Sequence, residues 1–85
     1  MVLKMFSIFD EKASVFSQPF YSAHNGTALR SFSDLVNEPN NNVSKHPEDF
    51  KLYYLGDFDD NSGGLLSKPQ PEFLCNATDF VKSIV

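Results

Sequence analysis

The sequence has no tryptophan, one cysteine, two histidines and only four glycines in 85 residues. With Cys75 alone, an internal disulfide is excluded. With only His24 and His46 beside it, so is a four-ligand Cys/His zinc site. Basic residues are also scarce: seven Lys plus Arg stand against eleven Asp plus Glu, for a formal charge of −4. Neutralisation of phosphates supplies most of the affinity of proteins that coat nucleic acid, so a chain of this sign would not do so through its overall field. No run approaches the roughly 20 apolar residues that span a bilayer. The opening MVLKMFSIFD is too short an apolar stretch, too soon acidic, for a secretory leader. Three N-x-[ST] matches, at Asn25, Asn42 and Asn76, therefore read as turn and cap chemistry rather than glycan acceptors. Also missing are a glycine-rich phosphate loop, an H-E-x-x-H pattern and a local Ser/His/Asp grouping. The expectation is a noncatalytic protein without cofactor or metal site, in a reducing intracellular setting.

What the chain does have is phenylalanine, nine of them, beside three tyrosines. Aromatics bury much area per residue and partly compensate for a domain this small. A single domain over 1–85 is expected, with 67–85 as a loosely attached tail. VLKMFSIF, residues 2–9, reads as a strand with Leu3, Met5 and Phe9 on one side and Val2, Phe6 and Ile8 on the other. A strand apolar on both faces belongs in the middle of a sheet or at an interface. Residues 12–24 read as an extended edge or ordered loop, because Pro19 denies a ladder its donor. In NGTALRSFSDLVNEP, Ala28, Leu29, Phe32, Leu35 and Val36 recur at helical spacing. Thr27 is the expected N-cap and Pro39 the stop.

Residues 40–49 read as a polar surface loop, with a short helical turn between Ser44 and Asp49. FKLYYL follows as a strand that Gly56 ends. Leu65 and Leu66 begin a short returning strand, ended at KPQPE. The last segment is a strand or a helix capped by Asn76 or Thr78 that buries Phe80, Val81 and Ile84. The fold class is α+β: one amphipathic helix on a small antiparallel sheet of three to four strands.

Between the two strands lies GDFDDNSGG. Counted as an EF-hand loop from Asp57, it supplies Asp57, Asp59 and Asn61. It then places Ser62 where glycine is required and Lys68 where a bidentate acid is required. Neighbouring exposed aspartates also lack the cleft and the opposed partner that acid/base catalysis needs. The stretch reads as a turn, with Asp and Asn tolerating left-handed backbone and Gly63-Gly64 taking positive φ. Cys75, after Leu74, reads as a buried structural thiol.

Phe16, Phe20, Tyr21, Tyr53 and Tyr54 exceed what one small core needs. Two uses compete. Such rings stack on unpaired bases, or they line a dimer or partner interface. The acidic charge favours the interface. The basic residues that would make a local DNA patch are Arg30, Lys45, His46 and Lys51. Together with Phe20, Tyr21 and Tyr53, these are the candidate contact residues.

QPF (18–20), ALRSFSDLVN (28–37), HPEDFKLYYLGDFDD (46–60) and GLL (64–66), in this order and spacing, resemble the small nonstructural protein of gokushoviruses and related microviruses. These are phages with circular single-stranded DNA genomes. The resemblance implies a role in packaging viral DNA, in association with the replication complex on replicative-form DNA and with the procapsid. It brings no catalytic residues. The resulting expectation is a noncatalytic accessory protein in the host cytoplasm, an adaptor with at most local DNA contact. The alternative is a small dimeric interaction or host-regulatory module that touches no nucleic acid. A homodimer is suggested by the two-sided apolar first strand.

Overall fold

A computed structural model describes residues 1–82. Its centre is β1 (Val2–Asp10), which pairs on one side with β4 (Phe50–Asp59). On the other side it pairs with two short strands, β2 (Val15–Phe16) and β3 (Phe20–Ser22). The long β5 (Gly64–Asn76) forms the outer edge beyond β4, and every pairing is antiparallel. The α+β architecture expected from the pattern is the one that forms, in a sheet of five strands. The additional strands come from residues 12–24. There Ser14 turns through a positive φ of 55°, while the Asp10 carboxylate accepts the backbone N–H groups of Lys12 and Ala13. That local bonding folds the chain back early enough for Val15 and Phe16 to meet Asp10 and Phe9.

Helix α1 (Asn25–Asn37) packs on one face of the sheet through Ala28, Phe32 and Val36, a stripe of four-residue steps. Its N-cap position is His24 rather than Thr27. Thr27 lies inside the first turn, where its hydroxyl donates to the His24 carbonyl. At the other end Glu38 is extended ahead of Pro39, as the steric clash of a following proline requires. Asn41 then ties the next turn down. Its amide donates to the carbonyls of Leu35 and Glu38, and its Oδ1 accepts Ser44 N–H at the start of α2 (Asn42–Lys45). A 3-10 turn, Pro47–Asp49, leads into β4. Under α1 the core comprises Phe6, Leu52, Val43, Cys75 and Ala77 beside the helix's own three buried residues.

Four expectations need correction. β4 does not stop at Gly56 but runs to Asp59, so the turn is confined to residues 60–63. Residues 67–76 are not a loose tail: they return to β4 at Ser67 and again from Glu72 to Asn76, with Cys75 opposite Leu52 and buried in the core. Pro69 and Pro71 do not end the strand. The register jumps from Gly56–Ser67 to Tyr54–Glu72, so the proline stretch bulges outward while pairing resumes beyond it. After β5 comes a 3-10 turn, Ala77–Phe80, in place of a longer helix. Phe80 packs edge-on against Phe32, Val81 is exposed, and Ile84 lies outside the described residues. Asn37 anchors this end through an amide donating to the Phe80 carbonyl and an Oδ1 accepting Lys82 N–H.

Candidate functional site

Residues directly opposite one another on paired strands point to the same face, so the register sorts every strand side chain. Phe6, Ile8, Phe20, Leu52, Tyr54 and Cys75 fall on the side of α1. Leu3, Met5, Ser7 and Phe9 of β1 fall on the reverse side, with Phe16, Tyr21, Tyr53, Phe58 and Phe73 from the other four strands. No helix covers this reverse side among the described residues. Phe16, Tyr21 and Phe73 keep 40%, 48% and 48% of their surface in solvent.

The rings make a continuous layer. Phe9 meets Phe16 at 4.7 Å between centroids, Phe16 meets Tyr53 at 5.4 Å, and Tyr53 meets Phe73 at 5.8 Å. A second contact joins Tyr21 to Phe58 at 5.6 Å. Two of these pairs, Phe16–Tyr53 and Tyr21–Phe58, bridge strands that are not neighbours, since β1 lies between them. Strands two apart are separated by about 9.5 Å, so the rings must lean over β1. That lean explains why Met5 and Ser7 are buried although they face away from α1. The buried Ser7 hydroxyl is satisfied by the Ser17 carbonyl at 2.7 Å.

Two irregularities put the aromatics there. Between Met5/Phe6 and Gly56/Tyr54 the register gains one residue, Leu55. Without that bulge, strict alternation from Tyr53 would carry Asp57 and Asp59 onto the reverse face. With it, Phe58 takes the face and both aspartates go to the helix side. Gly56 permits the kink: its φ is 150°, and a Cβ there would sit 2.3 Å from the Leu66 carbonyl oxygen. A second shift, between Leu52/Tyr53 and Cys75/Phe73, leaves Leu74 as the extra residue and brings Phe73 beside Tyr53.

Charge is therefore sided. All four carboxylates at paired strand positions, Asp10, Asp57, Asp59 and Glu72, belong to the helix side. Among the described residues the one cation at a strand position of the aromatic face is Lys51, and Glu11 neutralises it at 2.6 Å. On the helix side, Tyr54 has Lys4 and Lys68 each 5.1 Å from its ring centre and donates its hydroxyl to Asp57. That carboxylate, together with partial burial, pushes the phenol up to about 12.

Of the predicted contact residues, Tyr21 and Tyr53 belong to the aromatic face, while Phe20 turns inward against Phe6. The basic four form no patch. Arg30 is on the outer side of α1, Lys45 and His46 are exposed at the end of α2, and Lys51 is ion-paired at the start of β4. Phe9, Phe58 and Phe73 were missed. For Phe9 the signal was present, as its position shares parity with Leu3 and Met5. For the other two the signal was Gly56 and the proline stretch, each of which breaks a simple alternation.

The aspartate stretch is occupied with its own turn. Asp59 accepts Asn61 N–H at 2.9 Å, which holds its carboxyl below the usual range, and Asp60 binds the terminal amine at 2.6 Å. Ligand atoms of His46, Glu48 and Asp49 lie within 4.8 Å of one another, but His46 and Glu48 are exposed side chains beside an open depression. Cys75 is buried, and loss of solvation pushes its thiol up to about 11, with the nearby Asp79 adding to the effect.

No curated protein and no solved structure matches this chain. The family model described as Phage ORF5 protein matches residues 3–80, from the second residue of β1 through the final 3-10 turn. The aromatic face, its two bulges and the helix that leaves it bare all fall within the matched region, and the chain belongs to the Phage ORF5 protein family.

Proposed function

We propose that this phage protein is a noncatalytic accessory factor of the microvirus type. It acts in the host cytoplasm as an adaptor between synthesis of the single-stranded genome and its packaging into procapsids. The observation that carries this reading is the uncovered aromatic face. A small domain that leaves rings from all five strands in solvent, cleared of carboxylates by a bulge, has the composition of a contact surface. Single-strand platforms combine stacking rings with a cationic groove that tracks the backbone. Here Lys51, the cation among the rings, is already paired with Glu11. Protein contact therefore has more support than DNA contact, and any DNA contact is local.

The test is capture of the tagged full chain from infected cells. Retention of the replication initiator or procapsid proteins is expected, together with loss of that retention in a Phe16→Ser/Phe73→Ser double variant. Retention of neither protein by the unmodified chain would remove the adaptor role.

A further inference from the structure

From the sidedness of charge we infer that the aromatic face seats a second copy of this chain, face to face about a two-fold axis. This deepens, and rests on, the reading of that face as a contact surface. A two-fold interface sets one patch against the identical patch, so any net charge on it meets its own sign. The whole chain carries −4, and two copies approaching through the helix side would bring like-charged carboxylates together. The aromatic face is the exception. It has no strand carboxylate, its one lysine is neutralised internally, and the rest of the sorted positions are aromatic, aliphatic or small and polar.

Size and need agree with this occupant. A molecule 48 Å long and 24 Å across has a broad side that accommodates the roughly 800 Å² per partner of a standard interface. The half-exposed rings of Phe16, Tyr21 and Phe73 would supply its apolar centre. On the other side of the sheet, the large side chains that are fully buried among the described residues are three, Phe6, Phe32 and Leu52. Pairing through the rings would leave both acidic helix sides facing outward, available to basic segments of other phage proteins.

Sedimentation equilibrium of the full chain, from low to high micromolar concentration, tests the inference. A mass of two chains is expected. Phe16→Lys and Phe73→Lys should each weaken dimerisation by about 30-fold, the range of an interface anchor. Both positions are solvent-exposed in the single chain, so an unchanged circular dichroism spectrum is expected and separates lost pairing from lost folding. Arg30→Ala, on the outer side of α1, should leave the mass at two chains. A one-chain mass throughout would overturn the inference, as would a dimer indifferent to both lysine substitutions. A one-chain protein that still retains replication or capsid proteins would remove the second copy and leave the adaptor. A dimer that retains neither would do the reverse.

Discussion

On the side of the sheet beneath α1, Phe6 and Leu52 have no surface in solvent, whereas on the opposite side Phe16, Tyr21 and Phe73 keep two-fifths to one-half of theirs. Both sides carry aromatic and aliphatic residues from the same strands. What separates them is partnership. The helix stripe of Ala28, Phe32 and Val36 completes one side, while the other is completed only by rings leaning on one another. Burial among fixed neighbours makes a side chain structural; the same residue left half in water is available for binding.

The largest effect that would sharpen this contrast comes from truncating one ring on each side. Phe32→Ala should lower stability by about 3–5 kcal/mol, enough to unfold a domain of this size. Phe73→Ala, measured by urea denaturation at low protein concentration, should lower it by no more than about 1 kcal/mol. Comparable losses at the two positions would break the comparison.

A second effect is alkaline sensitivity. The thiol of Cys75 and the phenol of Tyr54 hold their protons more tightly in the folded chain, to about 11 and about 12. Their contribution is therefore complete below the unfolded values of 9.0 and 10.0 and is lost as pH rises through the folded ones. Stability should fall between pH 9 and 12, and Cys75→Ala should flatten the first part of that fall. A flat urea midpoint across this range would contradict the buried state of Cys75.

The smallest effect belongs to the exposed turn. Asp60→Asn should leave the urea midpoint essentially unchanged, because its partner, the terminal amine, is itself in solvent. Added calcium should leave the melting temperature unchanged. A calcium-dependent rise would restore the cation-site reading of this stretch.

Much of the helix side was legible in the sequence. Ala28, Phe32 and Val36 declared their stripe through spacing, Pro39 declared its end, and the two-sided pattern of residues 2–9 placed β1 inside the sheet. The reverse face was legible only as far as alternation holds. Gly56 reads locally as a stop, yet in the fold it is the residue whose missing Cβ lets β4 pass close to Leu66. Pro69 and Pro71 read as the end of pairing, yet the partner strand skips them and resumes at Glu72. Non-local register decided both. It also decided that Phe20 faces inward and Tyr21 outward, a choice that adjacent residues in a short edge strand do not announce.

The proline bulge of β5 has one more consequence. This strand is the free margin of the sheet, thirteen residues long, with Leu65, Leu66 and Phe73 exposed along it. Such a margin would ordinarily template the addition of further chains, strand upon strand, into fibrous aggregates. Two imino residues near its midpoint have no N–H to offer an incoming backbone, and the outward kink breaks the straight run that stacking requires. Strand addition along this open margin is therefore opposed at its midpoint.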